Sequence, residues 1–293
     1  MKRKEEYLAS RLAREALEDI KFPKNLEYDE IRPYLTQRDS YRSESDLNDA
    51  ILGCAVFSEY LKIRQAYRFH PVLAKELSES TNLNFGIQDL HLPYNTFYMD
   101  LSECGIWVDE KGIVGVYVHI HPENHMLAFV ALVRINPKQV VFMKASTDYS
   151  DGKTIEEMFD DITGGYSNEK ELYRCIFALL SYISSEKPDI ADRGKETVMV
   201  KTRNRKMVPS TTRRWDVGYR YMEFYRREME SILEEEHSAG GTHQSPRRHL
   251  RAAHWHTYRY GPGKQLRKVL WVQACWVGKG DEDVDVIHVT KGE

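Results

Sequence analysis

Apolar side chains in the first twenty residues fall at Tyr7, Leu8, Leu12, Ala16, Leu17 and Ile20, a helical spacing. This predicts a helix over 3–20, ended by Pro23 and a loop running to Pro33. The same period returns over 44–69, where Leu47, Ile51, Ala55, Phe57, Leu61 and Ile63 form a core face. Ser43 or Asp46 suits its cap, and Pro71 stops it and opens a short helix to Leu77. The period then changes to that of strands: 96–101, 105–108, 113–120, 126–135 and 139–144 are rich in β-branched and aromatic residues. The polar stretch from His121 to His125 reads as a hairpin loop, and strands joined this closely pair antiparallel. Helical spacing resumes at 154–161 and at 168–185, the latter stopped by Lys187-Pro188. Residues 201–214, basic and without acid, read as an exposed loop. A helix over 215–236 and a flexible linker over 237–244 follow. In the last piece, Tyr260-Gly261 and Pro262-Gly263 bend a hairpin between 255–260 and 269–276.

These elements define an α+β fold: N-terminal helices, a central antiparallel sheet packed with helices, and a small basic β-rich C-terminal module. The boundaries fall at 1–80, 81–190, 191–244 and 245–293, and no internal repeat is visible. The 293 residues are 41% hydrophobic and 30% charged, the balance of an ordinary folded protein rather than a disordered one. No apolar run approaches the roughly 18 residues needed to span a bilayer, so no membrane partner is expected. Cys54, Cys104, Cys175 and Cys275 are scattered without a CxxC pair, which signals no disulfide framework and fits a reducing cytoplasm.

The charge is unevenly placed. From His243 to Val277 there are seven cations (Arg247, Arg248, Arg251, Arg259, Lys264, Arg267, Lys268) and four histidines (243, 249, 254, 256), with no Asp or Glu. Cations interleaved with Trp and Tyr suit a polyanion that has stacking faces, the description of nucleic acid. The competing reading is a small sheet whose polar face happens to be basic. On the first reading Arg247, Arg248, Arg251, His254, His256, Arg259, Arg267 and Lys268 contact phosphate or ribosome, and Trp255 and Tyr258 serve stacking or packing. Of Trp255, Trp271 and Trp276, at least one is expected in the core. His254-x-His256 puts two imidazoles on one side of a strand. A metal would want a third ligand, and the window holds no carboxylate. A metal-independent ribonuclease needs a base, an acid and a cation, types that His254, His256, Tyr258 and Arg259 include. His119, His121 and His125 with Glu123 form the other cluster, read as solvated loop histidines. Phosphate-binding loops, nucleophile elbows and paired-carboxylate signatures are absent, and no cofactor or metal is expected.

The combination Ser245-Pro246-x-x-His249, Ala253-His254-Trp255-His256-x-Tyr258, Gly261-x-Gly263, Arg267, Trp271 and Val277 resembles the C-terminal module of the type V-A anti-CRISPR family. Its members are carried by phages, plasmids and other mobile elements. Leu92-Pro93-x-x-x-Phe97-Tyr98-Met99-Asp100-Leu101-Ser102 and Lys187-Pro188-Asp189-Ile190 follow in the same family's order. This chain has Ala253 where the family commonly has Gly. The resemblance implies an inhibitor that lowers production of a type V CRISPR effector nuclease. In that family, recognition of the effector's nascent N-terminal polypeptide is linked to loss of its messenger RNA during translation. The body at 92–190 would then recognise peptide and the basic tail would face RNA or ribosome. The alternatives are a ribonuclease using His254 and His256, and a partner-binding protein with no RNA contact.

Overall fold

The computed structural model describes residues 6–23, 26–80, 83, 86, 90–108, 110–136, 139–149, 154–155, 157–159, 170–185, 187–201, 207–220, 249–251, 254–272 and 275–277. Three helices open the chain: α1 (Glu6–Asp19), α2 (Tyr28–Arg38) and α3 (Glu44–Ile63). α3 starts where expected, because the Ser43 hydroxyl accepts from the Asp46 amide at 3.1 Å. It stops six residues short of the predicted end. Arg64 takes a left-handed conformation with its amide on the Tyr60 carbonyl, and Gln65–Phe69 leave the helix as strand β1. α2 lies where the sequence reads as loop. A reciprocal cap between Glu27 and Glu30 opens it, and buried Ile31 and Leu35 hold it against α3 despite Pro33 in its middle.

After α4 (Pro71–Ser78) come β2 (Thr96–Asp100), β3 (Trp107–Val108), β4 (Lys111–His121), β5 (Met126–Asn136) and β6 (Gln139–Asp148). Helix α5 (Lys170–Ser184) precedes β7 (Ile190–Lys201) and β8 (Met207–Val217). The predicted helix at 154–161 is helical at its described residues 155 and 157–159, with Ile155, Met158 and Phe159 buried. Strands β1 to β8 form one sheet of eight in the order β6-β5-β4-β2-β1-β8-β7, with β3 on β4. The sheet therefore joins segments from all of 65–217, across two of the boundaries drawn from sequence. It is also mixed rather than antiparallel: β1 pairs in parallel with both β2 and β8. Parallel pairing needs a crossover, and α4 supplies it between β1 and β2.

Residues 207–214, expected in a loop, are strand, and Trp215 to Val217 end that strand instead of starting a helix. The described helical turn there is Tyr219–Arg220, and both the rest of the predicted helix and the linker 237–244 lie outside the described residues. Opposite charges across the β7–β8 hairpin account for the strand. Arg213 pairs with Asp192 and Arg214 reaches Glu196 at 3.3 Å on β7, while Asp216 lies 3.4 Å from Arg214 along β8 itself.

The sheet is covered on both faces. α4 and α5 share one core with Phe97, Val116, Val118 and Phe129. α1 and α3 share the other with Ala66, Tyr98, Tyr117 and Val130, and α2 packs on α3 from outside. No described helix is long and apolar enough to cross a membrane.

Candidate nucleic-acid interface

The predicted C-terminal hairpin forms. β10 (His254–Tyr260) pairs antiparallel with β11 (Leu266–Val272), and β9 (His249–Arg251) pairs with β12 (Cys275–Val277) in the same register. The two pairings are thus successive parts of one two-stranded ribbon. Its turn depends on glycine: Gly261 and Gly263 have φ of 78° and 66°, values that side chains resist. Gly261 caps a 3-10 turn over Pro262–Lys264, which contains Gly263 and leads to the return strand.

Alternation along β10 splits the sequence-predicted residues between two faces. Trp255 stands opposite Trp271, ring centroids 4.8 Å apart and edge to face. Its indole is 6% exposed, belongs to the core shared by α4, α5 and the sheet, and donates to the Ser80 hydroxyl at 3.3 Å. Of the two uses left open for Trp255, the structure shows packing: it is the anchor of the ribbon. His256, Tyr258 and Arg259 are exposed, with the His256 and Tyr258 rings 4.3 Å apart. Tyr260, absent from the sequence-derived candidates, is 46% exposed beside them, and Tyr258 is 44% exposed. The signal for it was present in the alternation, since Tyr258 and Tyr260 lie two apart and Trp255 fixes the parity.

Arg251 and His254 occupy ladder positions opposite Cys275 and Val272. Arg267 and Lys268 stand opposite Arg259 and Tyr258. Arg247 and Arg248 lie outside the described residues. Among the described residues no carboxylate forms an ion pair with Arg259. This contrasts with Arg213 and Arg214, whose cations are engaged by Asp192, Glu196 and Asp216. Those two arginines of the basic 201–214 segment therefore serve the β7–β8 hairpin.

The second histidine cluster does not converge as loop chemistry. His119 is buried on β4 with Nδ1 2.7 Å from the Thr96 hydroxyl. His121 ends the same strand, its ring 4.6 Å from that of Tyr28, while His125 sits in the following turn against Tyr149. No group of three or more potential metal ligands occurs among the described residues.

Burial, opposed by Glu59 and reinforced by His121 and Lys62, holds the His119 imidazole down to about 4 from its ordinary 6.5. Below pH about 6.5 the unfolded chain takes up a proton that the native chain refuses. Stability is thus unaffected above that pH and falls by up to about 1.4 kcal/mol per unit as the pH drops toward 4. Urea midpoints between pH 7 and 4.5 are expected to show this slope in the wild type and a shallower one in His119→Gln. Equal slopes would assign the acid sensitivity to other groups.

The sequence model of the AcrVA2-like family, anti-CRISPR type V subtype A2, matches residues 67–279, from β1 through β12. The chain belongs to the AcrVA2-like anti-CRISPR family. An anti-CRISPR inhibitor role comes with that membership. A solved structure, the crystal structure of AcrVA2, aligns with a TM-score of 0.59 at 17% identity over 90% of this chain and 94% of that one. At that identity the likeness speaks for the fold. Its coverage carries the AcrVA2 fold back into the N-terminal helices, beyond the span that the family model matches. No curated protein matches the chain.

Proposed function

We propose that this protein silences a type V CRISPR effector nuclease at its transcript, acting in the cytoplasm of a cell that carries a phage or other mobile element. The body around 92–190 recognises the effector's nascent N-terminal polypeptide, and the basic ribbon contacts RNA or the ribosome while the message is lost. The observation that carries this reading is the ribbon itself, in a chain of this family. It is docked by a buried indole and turns His256, Tyr258 and Arg259 outward within a window that contains no acid. Strand β6, at one end of the sheet order, supports the other half: a sheet edge is where an extended polypeptide can add its own backbone hydrogen bonds.

Charge reversal at Arg247, Arg248 and Arg251 is expected to abolish silencing while the protein stays folded, read as effector message level in cells. Ribosome sedimentation of the tagged protein supplies the second readout, with co-migration expected only while the target is translated. Message levels that wild type leaves unchanged would end the proposal. The ribonuclease alternative predicts cleavage of labelled RNA by purified protein, insensitive to chelator and lost in His254→Ala.

A further inference from the structure

The ribbon has two chemically different faces near its tip, and they ask for different parts of one ligand. Tyr258 and Tyr260 present nearly half of their surfaces to solvent on the side opposite Trp255. The Tyr258 ring has His256 beside it, yet the exposed parts of both rings offer surface that a planar base laid on them would bury. Two residues along a strand advance about 7 Å. Bases in a duplex are spaced at about 3.4 Å per step and already stack on one another, leaving no face for a side chain. An unpaired strand can open its bases to the wider spacing. The geometry therefore selects against paired RNA.

The other feature is the ladder position shared by Arg259 and Arg267. Like charges directly opposite on neighbouring strands repel, and the window from His243 to Val277 offers no acid to separate them. An anion bridging the pair removes that repulsion. By parity Arg259 belongs to the face that carries Trp255, so this contact is separate from the tyrosine face.

We propose that the tip of the β10–β11 ribbon binds unpaired RNA, with Tyr258 and Tyr260 stacking on bases and the Arg259–Arg267 pair taking phosphate. The inference rests on the RNA reading above and narrows it to one form of nucleic acid and to named roles. Trp255 has no part in the stacking, and Tyr260 does.

The test uses the full chain and three labelled probes of equal length: an oligouridylate, an abasic RNA backbone and an RNA duplex. Anisotropy titrations are expected to show the oligouridylate bound at least tenfold more tightly than the duplex. Tyr258→Leu combined with Tyr260→Leu should lose about tenfold or more on the oligouridylate. The same variant should bind abasic RNA like the wild type and keep its salt dependence, and Phe at both positions should rescue. Arg259→Gln with Arg267→Gln should instead lower the salt slope by about 1.4, the value for two phosphates on a single strand. Matching thermal melts establish that the exposed substitutions leave the fold intact.

Equal losses on abasic RNA and oligouridylate would overturn the stacking role, as would a duplex bound as tightly as the unpaired strand. RNA binding indifferent to both double variants would sink this proposal and leave the broader reading standing. A wild-type protein that binds no RNA probe, yet still co-sediments with ribosomes, would point to a ribosomal protein surface and overturn the RNA assignment itself.

Discussion

Trp255→Ala is expected to cost about 3–5 kcal/mol of stability, the range for deleting a buried aromatic side chain. The indole is 6% exposed, meets Trp271 edge to face at 4.8 Å, and donates its N–H to Ser80. Removing it leaves a void between the ribbon and the body and strips the Ser80 hydroxyl of its donor. Trp271 packs on the same core beside it, and a lone two-stranded ribbon is marginally stable in water, so the ribbon depends on this docking. Two outcomes follow together: a lower urea midpoint for the whole chain and, on the proposed RNA reading, a fall in RNA affinity well above that caused by truncating Arg259 alone. Tyr258→Ala, on the open face, should move stability by no more than about 0.5 kcal/mol. A Trp255→Ala protein whose stability changes by less than about 1 kcal/mol would mean that the ribbon is not docked through this indole.

The contrast between Trp255 and Tyr258 marks what the sequence could and could not convey. Local signals were reliable where one periodicity and one turn decide the outcome. The Ser43 cap, the β4–β5 hairpin around 121–125 and the Gly261-x-Gly263 bend all form where their residues call for them. Misreadings arose where a distant partner decides. The apolar period of α3 runs on into Tyr67 and Phe69, yet those residues pack in the core on the other face of the sheet, as β1. Parallel strands on both sides fix β1 in the centre, and one of them comes from residues 213–217. No local pattern encodes that pairing.

The segment 207–214 looked like a loop because its cations and threonines suggest solvent. The Asp192 and Glu196 side chains that neutralise it arrive from β7. The sequence reads as loop up to Pro33, but burial of Ile31 and Leu35 outweighs the one hydrogen bond that Pro33 removes from α2. At the candidate site, composition marked a basic, aromatic window and could not give parity. Which of its aromatic rings face the body became legible only once Trp255 was seen against Trp271.

The charged row at the end of the parallel strands gives the other large expected effect. Asp216 on β8 stands beside Arg68 on β1, and its carboxylate, 6% exposed, receives Arg193 Nε at 2.8 Å with Arg214 Nε at 3.4 Å. The pairs are asymmetric. Arg193 is about half exposed, and Arg214 also holds Glu196. Deleting Asp216 therefore leaves one cation able to turn to water and another still paired, at a cost of about 1–2 kcal/mol. Deleting both arginines leaves a carboxylate in the interior beside Arg68, whose guanidinium is already bound to Glu103 at 2.7 Å. An uncompensated buried charge costs about 3–5 kcal/mol. Arg193→Ala with Arg214→Ala should thus destabilise the chain more than Asp216→Ala does. Each single arginine change should cost less than half of the double, because the survivor still serves the same carboxylate. Urea unfolding of the four variants at pH 7 measures this, and an Asp216→Ala protein as unstable as the double-arginine one would show that the carboxylate, not its desolvation, is what the row depends on.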